Sequence, residues 1–208
     1  MPAPSLTTDA FVLLKRPPAD AFQSFTVFSL EHGTLTILQR VAKKSAATVI
    51  ALDLFDEASL LLESSNQGRT WFVKEVRLLT RPSGIAKNYE ALQLASEFTA
   101  LLARNPVHED SRAPVAALLR TALATFATGA RPDVVFFKSL YCFARDEGYP
   151  VKQQWLAALP KDLRAEADRL LATPIASLEP AKDRNPKSEI LRRRLGEYLR
   201  GHTEILLD

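Results

Sequence analysis

The sequence predicts an α+β protein in which a small closed β-barrel precedes an α-helical domain. Residues 9–79 contain short runs rich in β-branched and aromatic residues, separated by turn signals. After Pro82-Ser83-Gly84, apolar residues recur at helical spacing to the end of the chain. The 208 residues are 47% hydrophobic and 25% charged, which is ordinary for a globular chain of one or two domains. We therefore expect domains at 1–81 and 82–208.

Five segments of the first domain are predicted as strands. Glu31-His32-Gly33 predicts a tight turn between the second and third, and residues 64–68 predict a hairpin loop whose glycine supplies a positive φ. The last segment has apolar residues on both faces at first, which favours a coiled barrel strand over a flat sheet. Closure into a barrel removes exposed strand edges. The segments are AFVLLK, FQSFTVF, TLTILQRV, a stretch within TVIALDLFDEASLLLE, and TWFVKEVRLL.

Five segments of the second domain are predicted as helices. The first places Leu94, Phe98 and Leu102 on one stripe. The third begins with Pro132, which suits a first helical turn, and stops at Gly148. The segments are NYEALQLASEFTALLARN, VAALLRTALATF, PDVVFFKSLYCFARDEG, KDLRAEADRLLAT and KSEILRRRLGEYLR.

The histidines and glycines of the sequence do not form a pattern typical of an enzyme. His32, His108 and His202 fall in a predicted turn, loop and tail, and none has a partner at metal-ligand spacing. The sequence has no phosphate-binding glycine loop and no nucleophile elbow. We expect a protein that is not an enzyme.

The acidic cluster in LDLFDE and the single cysteine are the remaining candidates for chemistry. Asp53, Asp56 and Glu57 could together bind a metal, but a solvated loop is the more frequent role of such a cluster. Cys142 lies in an apolar helical stretch, where a buried inert thiol is more frequent than a nucleophile. We expect no metal and no cofactor.

Three features predict a cytoplasmic protein that does not enter a membrane. One cysteine excludes an intrachain disulfide. The segment MPAPSLTTDAF lacks the basic and apolar regions of a signal peptide. No apolar run approaches the roughly 20 residues that span a bilayer.

The charge pattern permits a nucleic-acid partner without requiring one. The net charge is +3, yet the first 80 residues carry eight cations and eight carboxylates. The third strand exits into Arg40, Lys43 and Lys44, which are either solubilising charges or contacts for phosphates. Trp71 and Phe72 are core residues more often than stacking platforms for bases. The consecutive arginines 192–194 point around a helix, and the residues alone leave both alternatives open.

The order of the segments resembles the bacterial RecO family, the recombination mediators of DNA repair. The opening AFVLLKRPPADAFQSFTVFSLEHGTLTILQRVAKK is similar to the start of that family. Three later segments resemble its last barrel hairpin, its central helix and its C-terminal helix, so the match spans nearly the whole chain. They are LLLESSNQGRTWFVKEVRLL, FFKSLYCFARDEGYPV and KSEILRRRLGEYLRGHTEI.

The resemblance implies an N-terminal OB-fold β-barrel followed by an α-helical domain. RecO proteins are not enzymes in the usual sense. They bind single- and double-stranded DNA, anneal complementary strands and work with RecR. Together they load RecA onto DNA coated with single-stranded-DNA-binding protein. Some members bind the acidic C-terminal tail of that protein in a pocket of the helical domain.

The resemblance also assigns candidate DNA contacts in the barrel. Arg40, Lys43 and Lys44 match the family's basic loop and are expected to hold phosphate oxygens. Lys15 and Arg16 are weaker candidates on a neighbouring strand. Charge segregation has to create such a site, because the barrel segment is formally neutral.

In the central helix, Lys138 falls where a relative has a basic residue beside an apolar groove. It would pair with the terminal carboxylate of the tail, while Phe137, Leu140 and Tyr141 shape the pocket. The ordinary alternative for Lys138 is a surface lysine.

The chain also departs from the family. The cysteine zinc module of many RecO proteins is missing after Gly148-Tyr149, so no zinc is expected. LDLFDEA is more acidic than the family's usual segment. Two rival functions remain, an adaptor that docks RecR or the tail without holding DNA, and an OB-fold protein that binds RNA.

Overall fold

The computed structural model describes residues 4–19, 21–41, 50–64, 68–178 and 186–207. The chain divides into two compact units, Met1–Pro82 and Ser83–Asp208. The first contains the strands and the second the helices, so the predicted mixed class, with a five-stranded sheet before a helical region, is confirmed.

The first unit is a closed ring of five strands. They pair in the order β1-β2-β3-β5-β4, and β4 pairs back with β1. Neighbouring strands are antiparallel except β3 and β5, which run parallel at Ile37–Trp71 and Leu38–Phe72. The strands are β1 Ser5–Lys15, β2 Phe22–Ser29, β3 Gly33–Arg40, β4 Glu57–Glu63 and β5 Trp71–Thr80.

The interior of the ring takes every second residue of its strands, because strand side chains alternate between two faces. Val12, Val27, Ile37, Leu60 and Leu62 are at most 1% exposed and belong to one cluster. The predicted turn before β3 is confirmed. The backbone N–H groups of Glu31 and His32 donate to the hydroxyl oxygen of Ser29, the last residue of β2, and Gly33 has a φ of 68°.

The acidic segment before β4 differs from the prediction of a solvated loop. Asp56 is fully buried, and its carboxylate accepts two hydrogen bonds from Arg81, at 2.8 and 2.6 Å. It also accepts one from the backbone N–H of Asp53, at 2.7 Å. Asp56 is buried because a guanidinium that follows β5 supplies its donors, whereas Asp53 of the same cluster remains exposed. Among the described residues, no group of three side chains is suited to hold a metal ion.

The second unit contains five longer helices among its described residues. The Asn88 side chain caps α1 by accepting from the backbone N–H of Ala91, and α2 stops at Gly129, whose φ is 72°. Short 3₁₀ or π turns join them. The helices are α1 Tyr89–Arg104, α2 Arg112–Thr128, α3 Pro132–Asp146, α4 Lys161–Ala172 and α5 Pro186–His202.

Helix α3 is the centre of this unit, because it packs against α1, α2, α4 and α5. Phe137 and Phe143 are at most 1% exposed, as are Phe98 of α1 and Phe126 of α2. The Cys142 thiol of α3 is half-buried, and burial raises its pKa, which favours the protonated thiol over the nucleophilic thiolate.

No helix in the described ranges is both long enough and apolar enough to cross a lipid bilayer.

Candidate nucleic-acid interface

The outer face of β2, β3 and β5 carries the residues that alternate with the barrel core. Ser24 pairs with Leu38, and Leu38 pairs in turn with Phe72. Two residues further along the same strands, Phe22 pairs with Arg40. Because directly paired residues point to the same side of a sheet, these five side chains share one face. We call them the outer-face patch.

Two aromatic rings form the centre of the outer-face patch. Phe22 and Phe72 meet edge to face, with ring centroids 5.6 Å apart and planes at 70°. Both are partly exposed, unlike Trp71, which is 9% exposed and belongs to the barrel core. The expectation that Phe72 is a core residue is therefore wrong, whereas that for Trp71 is confirmed. Exposed aromatic rings on a barrel face are the platforms on which unpaired bases stack.

Two exposed arginines carry positive charge at the outer-face patch, Arg40 within it and Arg16 next to it. Arg40 is the last residue of β3 and stands opposite Phe22. Arg16 follows β1, and its backbone N–H donates to the carbonyl oxygen of Ser24 at 3.0 Å. Within the described residues neither guanidinium has an ion-pair partner. Both are therefore available to an anion from solution.

The third described candidate, Lys15, is already paired. Its ammonium lies 2.9 Å from the Asp53 carboxylate. Burial raises the pKa of Asp53, but the hydrogen bonds from Lys15 and from the Leu54 N–H outweigh it, so the pKa lies below 3.8. Elsewhere on the barrel, Lys74 is paired with Glu63 at 2.7 Å. Arg16 is therefore a better candidate than Lys15.

The candidates Lys43 and Lys44 lie outside the described residues. The two described ends of their segment are joined by one side chain, Gln39. Its amide donates to the Ile50 carbonyl oxygen at 2.7 Å and accepts from the Leu52 N–H at 3.0 Å. Gln39 thus fixes the base of the predicted basic loop next to Arg40.

Lys138 is buried, in contrast to both expectations. It is 3% exposed, so the alternative of a surface lysine is wrong. Its ammonium donates to the carbonyl oxygens of Leu170, Leu171 and Thr173 at the end of α4, where helix carbonyls lack partners. Burial lowers the pKa of this ammonium. Its donors are used inside the fold, which opposes the predicted pairing with a partner's carboxylate.

The neighbours of Lys138 do not form the expected pocket around it. Phe137 and Tyr141 are buried, and each ring lies 6.0 Å from that of Trp155. Leu140 instead lines a cavity of about 460 Å³ on another side of α3. We call it the α5 cavity. It is lined by Glu97, Leu101, Phe136, Leu140, Pro186, Glu189, Ile190, Arg192, Arg193, Gly196, Arg200 and Leu207.

Arginines distinguish the α5 cavity from the site predicted at Lys138. Arg192 lies 3.8 Å from the Glu97 carboxylate and 5.7 Å from the centre of the Phe136 ring. Arg193 and Arg200 are seven residues apart, which is about two helical turns, so they share one face. The spacing of seven residues was the signal in the sequence for this arginine-bearing face. It was missed because Arg193 stands in a run of three arginines, which point in different directions around the helix.

No family model matches this sequence, and a search of curated protein sequences found no match.

Proposed function

We propose that this protein is a RecO-like recombination mediator of DNA repair that binds single- and double-stranded DNA without sequence specificity. In this proposal it promotes strand annealing and, with RecR, the loading of RecA. The barrel is then an OB-fold. The closed order β1-β2-β3-β5-β4, followed by a helical unit, supports this assignment.

The observation that carries the proposal is Arg40 beside the Phe22–Phe72 pair. OB-folds bind oligonucleotides across the strand 2–3 face and through the loops that follow strands 1 and 4. The outer-face patch occupies that face, and Arg16 lies in the first of those loops. Cations for phosphates next to rings for bases are what binding of single strands requires.

The mechanism follows from this placement. Arg16 and Arg40, with Lys43 and Lys44 of the predicted basic loop, capture phosphates and so lower the repulsion between two strands. Stacking on the aromatic pair, worth about 1–3 kcal/mol per base, keeps bases exposed for pairing. Lys15 contributes only when it leaves Asp53.

The test is fluorescence anisotropy of a labelled single-stranded oligonucleotide at about 50 mM and about 200 mM salt. We expect salt-sensitive binding. Combining Arg40→Glu, Lys43→Glu and Lys44→Glu should reduce the log–log salt slope by roughly 0.7–0.9 for each phosphate that the variant no longer binds. The control is Arg194→Glu, a charge reversal at one exposed arginine of α5, outside the barrel.

A second variant separates stacking from charge. Phe72→Leu keeps an apolar side chain but removes the ring, and should weaken binding by about tenfold with an unchanged salt slope. If neither the charge variant nor Phe72→Leu changes binding while both remain folded, DNA does not bind at this face.

The ion pairs of the barrel favour a second candidate, an adaptor that holds no DNA. Lys15–Asp53 and Lys74–Glu63 neutralise two of the barrel cations. The adaptor would dock RecR or the acidic tail of single-stranded-DNA-binding protein.

For the tail, the α5 cavity is a better receptor than Lys138, because Arg193, whose ion pair with Glu197 is exposed to solvent, lies next to an apolar floor. A labelled tail peptide tests this. Arg193→Glu should weaken its binding about tenfold, and Arg194→Glu should not. No binding of DNA even at low salt, together with binding of the peptide, would select the adaptor.

A further inference from the structure

A smaller cavity of about 240 Å³ lies where α3 ends and the segment after α5 returns past α1. Pro106, Phe143 and Ile205 form apolar walls. The remaining lining residues are polar, and two of them are carboxylates. We call this the Glu147 cavity. The polar residues are Asn105, His108, Glu147, Tyr149 and Glu204.

The Glu147 side chain is 6% exposed, and its carboxylate has no hydrogen-bond donor in the described structure. Its Oε1 is buried without a partner. Its Oε2 lies 3.9 Å from His108 Nε2, which is beyond hydrogen-bonding distance. His108 itself is 81% exposed and reaches mostly into solvent. A buried carboxylate without donors is costly, and native proteins rarely keep one without a reason.

The position of Glu147 in the chain adds to this cost. It caps the C-terminal end of α3, where its backbone N–H donates to the Phe143 carbonyl oxygen. The C-terminal end of a helix carries partial negative charge, which disfavours a carboxylate there. Burial and the helix dipole therefore both act against Glu147 in the folded state, and a cation in the cavity would relieve both.

The other polar groups of the cavity do not neutralise Glu147. The hydrogen-bonding groups of the Asn105 amide already have partners. It donates to the carbonyl oxygens of Leu101 and Leu206 and accepts from the Leu206 N–H. The Tyr149 hydroxyl oxygen accepts from the Glu204 N–H at 3.2 Å. Among the described residues that line the cavity there is no lysine or arginine.

We propose that the Glu147 cavity binds a guanidinium group on a short aliphatic stem. The planar fork of a guanidinium donates two parallel hydrogen bonds to one carboxylate, which is the pairing that Glu147 lacks. The apolar walls suit the stem. The volume lies below the roughly 300–1,000 Å³ of sites for drug-sized ligands, so the cavity fits one side chain or a small guanidine. This site is independent of the outer-face patch and of DNA binding.

The test is titration of the whole ¹⁵N-labelled protein with N-acetylarginine amide, followed by amide chemical shifts. We expect saturable shifts at His108, Glu147 and Ile205. N-acetylcitrulline amide, which has nearly the same shape but no charge, should bind at least about tenfold more weakly. Butylguanidine separates the sources. If it binds and the arginine amide does not, the ligand is a free guanidine. If the arginine amide binds as well or better, it is an arginine side chain of another polypeptide.

Glu147→Gln tests the role of the carboxylate while preserving its shape. We expect at least about a tenfold loss of affinity for N-acetylarginine amide. The matched control is Glu109→Gln, an exposed residue outside the cavity with the same change of charge, and it should bind like the wild type. Because Glu147→Gln replaces a buried carboxyl group that lacks donors, it should melt no lower than the wild type, so weaker binding cannot be ascribed to unfolding.

Three results would each overturn the proposal. They are equal binding of the citrulline amide, unchanged affinity in Glu147→Gln, and the absence of saturable shifts at the cavity. In the last case ordered water, rather than a ligand, satisfies the carboxylate.

Discussion

Asp56 in the barrel and Glu147 at the end of α3 are both buried carboxylates, but only the first has its donors. Asp56 accepts two hydrogen bonds from Arg81 and one from a backbone N–H. Within the described structure, Glu147 has a histidine at 3.9 Å and an orphaned oxygen. Asp56 therefore joins the loop before β4 to the end of β5, whereas Glu147 adds no such link.

The comparison separates two uses of a buried charge. A carboxylate whose donors belong to the fold is part of the structure, and breaking the pair leaves an uncompensated charge. A carboxylate whose donors are missing lowers the stability of the folded state, which increases only when a ligand supplies those donors. The sign of a neutralising substitution therefore distinguishes the two roles.

The chain is suited to measuring this difference unit by unit. It has two tryptophans, Trp71 in the barrel and Trp155 in the helical unit. Replacing either one by phenylalanine leaves the other as the fluorescence probe of its own unit.

The largest effect is expected from Asp56→Asn. The side-chain amide of asparagine is neutral and cannot accept both hydrogen bonds that Arg81 donates. The free energy of unfolding of the barrel should therefore fall by about 3 kcal/mol. Urea unfolding followed by Trp71 fluorescence measures it. Asp53→Asn, the same change at an exposed position, is the control. A decrease for Asp56→Asn no larger than that of the control would remove the distinction.

Lys138→Met should lower the free energy of unfolding of the helical unit by about 2 kcal/mol, because the last carbonyls of α4 lose their donor. The pH dependence has a defined sign. Burial lowers the pKa of Lys138 in the folded state from 10.5, so protons are lost first from the folded protein. The wild type should therefore gain stability relative to the variant as the pH rises from the lowered pKa towards 10.5. A flat difference between pH 8 and 10.5, as read by Trp155 fluorescence, would contradict this.

Glu147→Gln should raise the free energy of unfolding of the helical unit by about 1 kcal/mol, the opposite sign to Asp56→Asn. The Trp155 signal in urea measures it, with Glu109→Gln as the neutral reference. Destabilisation instead would mean that Glu147 has a structural partner, and the contrast with Asp56 would then be wrong.

The smallest effect is expected from Lys15→Gln, which breaks an exposed pair rather than a buried one. The decrease in the free energy of unfolding should stay below about 0.5 kcal/mol, because solvent screens this ion pair. The pKa of Asp53 lies below 3.8 in the folded state, so this small contribution is present above pH 3.8 and is lost as the pH falls through the lowered pKa. Trp71 fluorescence at pH 7 and pH 3 tests both points, and a decrease comparable to that of Asp56→Asn would contradict the order.

Local patterns in the sequence were sufficient for the order and type of the elements. The turn at Glu31-His32-Gly33 was predicted from its place between two strand-like runs, and the start of α3 from Pro132. The segment before β4 was the exception, since its apolar run also suits a strand but β4 begins only at Glu57. Its acidic residues looked solvated because Arg81, which buries Asp56, lies 25 positions later.

The candidate site was predictable only in part, for the same reason. Arg40 was found because it ends a recognisable strand. Phe22 was missed, since only the joining of β2, β3 and β5 brings its ring to Phe72. The surroundings of Lys138 were predicted wrongly, because the carbonyl oxygens that accept its hydrogen bonds at the end of α4 are 32 to 35 positions away in the sequence.

By itself the sequence determined five strands followed by helices, because period, turn residues and caps act over a few neighbouring positions. Only the tertiary structure decided which charged side chains are paired, which are exposed and which lack a hydrogen-bond donor. Among the described residues, it paired Asp56 and Lys138, exposed Arg16 and Arg40, and left Glu147 without a donor. The physical reason is that burial and hydrogen bonding depend on groups that are distant in the chain and meet only when the chain folds.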